Sequence, residues 1–177
     1  KQLLQPGLDG LLLHACRRYN IAPAMLELEL TESALVHNMD IVTPMLHRLR
    51  GHGFSLALDD FGTGYSSLSY LRHLPFDKVK IDRSFVMDIE TDPAANRLLE
   101  SIVQLCKVLG MRTVAEGVET AEQLAALTRM GVDEFQGYHF ARPMPVDDWL
   151  AVLRQAGTGV PRLPLQGGVL SRNSGLA

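Results

Sequence analysis

Short apolar runs alternate with stretches of helical length and periodicity along most of this 177-residue chain, and the runs end in acidic or polar clusters. The alternation predicts an α/β fold with a parallel sheet, because parallel strands are joined by crossover helices. The clusters are Glu29 with Glu32, Asp59–Asp60, Lys80 with Asp82, Glu116 with Glu119, and Gln136. In a parallel α/β barrel the strand ends converge on one mouth, where such enzymes keep their chemistry. Only five strand-like runs are present, fewer than the eight of a closed TIM-like barrel. The expected architecture is therefore a (β/α)8 barrel with about three N-terminal strands missing from this chain. An open doubly wound sheet is the alternative, but no glycine-rich phosphate loop follows the first strand.

The elements follow in order. Residues 6–18 predict a helix with Pro6 in its first turn and Leu8, Leu11, Leu12 and Ala15 on one face. MLELEL (25–30) alternates as a strand does. Asn38 caps a helix over 39–50 presenting Ile41, Met45, Leu46 and Leu49, with Gly51 and Gly53 at its end. FSLALD (54–59) is nearly continuously apolar, as in a strand buried on both faces. A loop over 60–67 leads to a short helix that stops at Pro75. KVKID (78–82) is the third strand. Asp92 and Pro93 open a helix over 94–109, carrying Leu98, Leu99, Ile102, Val103, Leu105 and Val108, with Gly110 behind it. RTVAE (112–116) is a fourth strand. Thr120 caps a helix over 121–130 that Gly131 terminates. DEFQGY (133–138) is the fifth strand, and Pro143 and Pro145 lead into a last helix, 146–155. Residues 1–156 form the domain. Residues 157–177, rich in Gly, Pro and Ser without aromatics, read as a disordered tail or linker.

Composition excludes some functions. The net charge of −3 gives no basic face for nonspecific nucleic-acid binding, so no DNA partner is expected. No apolar stretch approaches a membrane span, and a cytoplasmic domain is expected, free or within a membrane-anchored parent. Cys16 and Cys106 sit within apolar helical patterns and read as reduced core residues. None of the six histidines forms a metal-binding pair of the HExxH kind.

Phosphodiester hydrolysis at neutral pH needs a strong nucleophile and positive charge at the phosphorus oxygens, both of which two hard cations supply. Glu29, Asp59, Asp60, Glu116 and Gln136 are oxygen donors of the right types. Lys80 is the one cation among them, placed to orient a water or offset transition-state charge. Each cluster also has a plainer explanation. ELTES can cap a helix through Thr31 or Ser33, and Asp59–Asp60 can serve a turn. Lys80 can pair with Asp82, and Glu116 and Glu119 can complement a helix dipole. Two adjacent acids closing an apolar strand are harder to explain without a nearby positive charge.

ELTES, DDFGTGYSSLSYL, KIDRSF, VAEGVET and QGYHFARP, in this order, closely resemble the EAL-domain phosphodiesterases over roughly residues 1–155. The resemblance implies a modified (β/α)8 barrel that hydrolyses cyclic di-GMP to linear pGpG with two Mg2+ or Mn2+ ions, in bacterial second-messenger signalling. It implies metal ligation by Glu29, Asp59, Asp60 and Glu116, and catalytic roles for Lys80, Glu116 and Gln136. Glu32 and Glu119 are implied as supporting residues, Glu32 steadying the DDFGTGYSS loop, and Asp82 and Tyr138 as substrate-binding ones. The family pattern further implies a homodimer and an upstream sensory or diguanylate cyclase domain.

The Glu-x-Leu strand that names the family and its Asn-x-Ser motif are not in this sequence, and Lys1–Leu3 resemble the family's residues just after that second motif. Residues 1–177 alone are therefore expected to be inactive. The competing function is a non-catalytic cyclic di-GMP receptor, which the reading frame upstream of Lys1 would distinguish. A sugar-phosphate aldolase would need Lys80 as a Schiff-base amine, and a lysine among carboxylates is a poor amine nucleophile.

Overall fold

A computed structural model describes residues 5, 7–36, 39–62, 68–156 and 170–171. Pro6, Asn38 and residues 63–67 of the DDFGTGYSS loop lie outside them, as does most of the 157–177 tail. The chain divides into two compact units, Lys1–Asp82 with Gln104–Thr113, and Arg83–Val103 with Val114–Ala177.

The first unit holds α1 (Leu8–Tyr19), a 3-10 turn over Pro23–Met25, β1 (Glu27–Thr31), α2 (Glu32–Val36), α3 (Met39–Gly51), β2 (Ser55–Phe61), α4 (Leu68–His73) and β3 (Lys78–Ile81). β1 pairs with β2 in parallel, Glu27 opposite Ser55 through Thr31 opposite Asp59. β2 pairs with β3 in parallel as well. Phe54, Leu56, Ala57 and Leu58 are all buried, which is why this run carries no polar alternation. Asp77 ties the strand starts together: its carboxylate accepts the Leu56 N–H at 3.0 Å and meets Arg50 at 3.2 Å, and its carbonyl accepts the Arg112 N–H at 3.0 Å.

The second unit holds α5 (Arg83–Met87), most of α6 (Pro93–Val108), the end of β4 (Arg112–Ala115), α7 (Ala121–Met130), β5 (Glu134–Phe135), α8 (Val146–Ala156) and β6 (Leu170–Ser171). β4 and β5 are parallel, and β6 pairs antiparallel with β5. α7 opens with a reciprocal capping box: Thr120 Oγ1 accepts the Gln123 N–H, while Gln123 Oε1 accepts the Thr120 N–H. Gly131, at φ 80°, closes it in the left-handed conformation that glycine adopts without penalty. Cys16 and Cys106 are free and buried. No helix among the described residues is long and apolar enough to cross a membrane.

Several details differ from the sequence reading. Leu11, Ile41, Leu98 and Val108 face solvent, while Met45, Leu46, Leu49, Leu99 and Val103 are buried as the pattern suggests, joined by Cys16, Val42 and Cys106. Consecutive apolar residues leave the choice of buried face ambiguous by one position. The helices α2 and α5, five residues each, are too short to show a period. The fifth strand is two residues rather than six, so Gln136 and Tyr138 lie beyond it. The second strand does not end at Asp59 but continues through Phe61. Leu170 and Ser171, within the region read as a tail, form β6.

Candidate active site

β2 solves a problem set by its own sequence. Adjacent residues of a regular strand point to opposite faces, so Asp59 and Asp60 ought to diverge. Leu58 pairs with Val79 and Phe61 with Ile81, so two residues of β2 stand opposite the single residue Lys80 of β3. This is a β-bulge, and Asp60 takes it up with φ 54°. Aspartate is among the few non-glycine residues that tolerate the left-handed region. The bulge leaves a carboxylate oxygen of Asp59 and one of Asp60 within 4.8 Å of each other, both residues being half-buried.

Lys80 gathers the rest of this group. Its ammonium donates to Asp59 Oδ1 at 2.8 Å and lies 3.0 Å from Glu29 Oε2. The lysine side chain is 9% exposed, that of Asp59 20% and that of Glu29 46%, so the arrangement opens toward solvent at Glu29. Two residues earlier on the same strands, Lys78 pairs with Glu27 at 2.8 Å, and Glu27 also accepts from Ser55 Oγ at 3.3 Å. The period of two puts Glu27 with Glu29, and Lys78 with Lys80, on one face. Glu32, the first residue of α2, is buried and accepts the Gly62 N–H through Oε2 at 3.3 Å, just past the bulge. Its Oε1 has no hydrogen-bond partner among the described residues. Asp82 is half-buried at the end of β3. Carboxylate oxygens such as these are the donors that a hard divalent cation takes.

In the second unit Glu116, Glu119, Gln136 and Tyr138 line one cleft of about 250 Å³, together with Arg83, Gly117 and Gly137. Glu116 follows β4 directly and Gln136 follows β5. Backbone bonds set their spacing: Gln136 N–H to Ala115 O at 2.8 Å, Val118 N–H to Gln136 O at 3.0 Å, and His139 N–H to Val118 O at 2.9 Å. Glu119 Oε1 pairs with Arg83 at 3.2 Å. Sequence reasoning gave no role to Arg83, Gly117 or Gly137. Each adjoins a residue it did single out, and the two glycines flank Glu116 and Gln136. Gly117, at φ 69°, lies against the Arg83 side chain, and a Cβ on Gly137 would meet the Val118 backbone at 2.1 Å.

In each unit polar side chains stand at or near the ends of parallel strands, the part of an α/β fold where enzymes of this architecture keep their chemistry. A family model for the EAL domain matches residues 1–143, and this chain belongs to that family. The cyclic di-GMP phosphodiesterase NbdA of Pseudomonas aeruginosa is 49% identical over 133 residues, 75% of this chain and 17% of that protein. The structure of the PaMucR phosphodiesterase in a c-di-GMP complex matches with a TM-score of 0.78 at 39% identity, over 84% of this chain and 60% of that one. A manganese/cy-diGMP complex of Klebsiella pneumoniae BlrP1 matches with a TM-score of 0.75 at 37% identity, over 80% of this chain and 36% of that one. The chain spans about a fifth of the length of the curated relatives it matches.

Proposed function

We propose that this domain is a phosphodiesterase that hydrolyses cyclic di-GMP to linear pGpG with the help of two divalent cations, Mg2+ or Mn2+. The observation that carries the reading is the bulge at Asp59–Asp60, which turns two adjacent carboxylates to one side, beside Lys80 and Glu29. The NbdA phosphodiesterase and the PaMucR and BlrP1 complexes support the same substrate, and the manganese of the BlrP1 complex supports a divalent ion.

Glu29, Asp59, Asp60 and Glu116 would hold the cations. When bound, such ions supply a more acidic water and positive charge at the phosphoryl oxygens. Lys80 orients the attacking water and offsets charge as the phosphorus becomes crowded, and Gln136 helps to hold that water. Water adds to one phosphorus, one P–O ester bond breaks, and the freed sugar oxygen takes up a proton, which opens the ring once. Asp82 and Tyr138 contact the substrate, while Glu32 steadies the loop through Gly62 and Glu119 fixes Arg83. On this reading the domain works in cytoplasmic second-messenger signalling as a homodimer. The test is Asp59→Asn in the full-length protein, since a neutral amide cannot offset a dication's charge. Turnover of cyclic di-GMP is expected to vanish, and robust turnover by the variant would sink the reading.

A further inference from the structure

We propose that Arg142 is a specificity-determining residue that recognises a guanine base of the dinucleotide at the rim of the Glu116–Gln136 cleft. The inference rests on the reading of the previous subsection and adds a residue to it. Tyr138 lines that cleft and is 46% exposed. The guanidinium carbon of Arg142 stands 4.6 Å from the centre of the Tyr138 ring, well within cation–π range. Arg142 is exposed, and among the described residues it makes no ion pair, so its in-plane N–H donors are not committed to a carboxylate.

The backbone beneath this pair is held at several points. Gly137 sits against Val118, His139 donates to the Val118 carbonyl at 2.9 Å, and Phe140 donates to the Gly137 carbonyl at 3.1 Å. Phe140 and Ala141 are buried, so the two outward-facing side chains, Tyr138 and Arg142, flank an anchored segment. A purine stacks well on an aromatic ring or a guanidinium plane. The arginine fork also matches the two acceptors on one edge of guanine, O6 and N7, whereas adenine puts an amino donor where guanine has O6. A lysine has no such planar fork. The exposed ring therefore supplies stacking, and the cation above it supplies the base identity.

The test is isothermal titration of the full-length protein in excess chelator, where no turnover is expected, with cyclic di-GMP and with cyclic di-AMP, for wild type, Arg142→Met and Arg142→Lys. Thermal melts of each establish that the variants are folded. Wild type is expected to prefer cyclic di-GMP. Arg142→Met should weaken cyclic di-GMP binding about tenfold and bring the ratio of the two dissociation constants toward one. Arg142→Lys should not restore the ratio. An unchanged ratio in a folded Arg142→Met protein overturns the inference. Guanine-selective binding with no hydrolysis once Mn2+ is added would overturn the catalytic reading alone, and a wild type that binds neither dinucleotide would overturn both.

Discussion

Replacing Gly137 with alanine tests whether the floor of the Glu116–Gln136 cleft is as tightly set as its backbone contacts require. An added Cβ would lie 2.1 Å from Val118 O, 2.3 Å from Val118 N and 2.7 Å from Val118 C. All three are backbone atoms, and no rotamer change relieves the clash. The Val118 N–H is bonded to Gln136 and its carbonyl to His139, so moving the segment lengthens at least one of these bonds. Overpacking of this kind costs about 1–3 kcal/mol and a lost hydrogen bond about 1 kcal/mol more, so a loss of about 3 kcal/mol is expected. For a domain of this size that lowers the melting temperature by roughly 6–12 °C. Gly10→Ala is the control: it lies within α1, with nothing within 4 Å of its added Cβ. It should gain about 0.5–1 kcal/mol from the better helix former. Melts of the two variants beside wild type decide the matter, and a Gly137→Ala protein that melts with wild type would refute the close-approach argument.

Other perturbations address the carboxylate group. Lys80→Met leaves Glu29 and Asp59 facing each other without a cation; the pair is partly open to solvent, so roughly 1–3 kcal/mol of stability should be lost. Added Mn2+ should raise the melting temperature of this variant more than that of wild type, and a variant as stable as wild type without Mn2+ would count against the pairing. Asp60→Asn keeps a side chain that accepts the left-handed backbone and should melt within about 1 kcal/mol of wild type. Asp60→Val places a β-branched residue at φ 54° and should cost roughly 2 kcal/mol more. Both should lack cyclic di-GMP turnover, and equal stabilities would contradict the bulge.

Much of this was legible in the sequence for identifiable reasons. FSLALD announced a doubly buried strand because every residue between Phe54 and Leu58 except Ser55 is apolar. Thr120, Gln123 and Gly131 announced both ends of α7 because caps are local chemistry. The bulge was not legible, because it exists only relative to β3: the one-residue surplus at Asp59–Asp60 appears when Leu58 and Phe61 find Val79 and Ile81. For the same reason the Glu27–Lys78 pair, from residues 51 apart, carried no local signal. The arginines fell between these cases. Arg83 and Arg142 were visible within KIDRSF and QGYHFARP, but their partners Glu119 and Tyr138 became apparent only in the folded chain.

The measurement that bears most directly on the proposed function is hydrolysis of cyclic di-GMP by the full-length protein, followed by chromatography of the nucleotide products with Mn2+ present and again in excess chelator. The account predicts linear pGpG as the product with Mn2+ and no turnover once the cation is removed. Undiminished turnover in excess chelator, or bound cyclic di-GMP that stays intact with Mn2+ present, would contradict it.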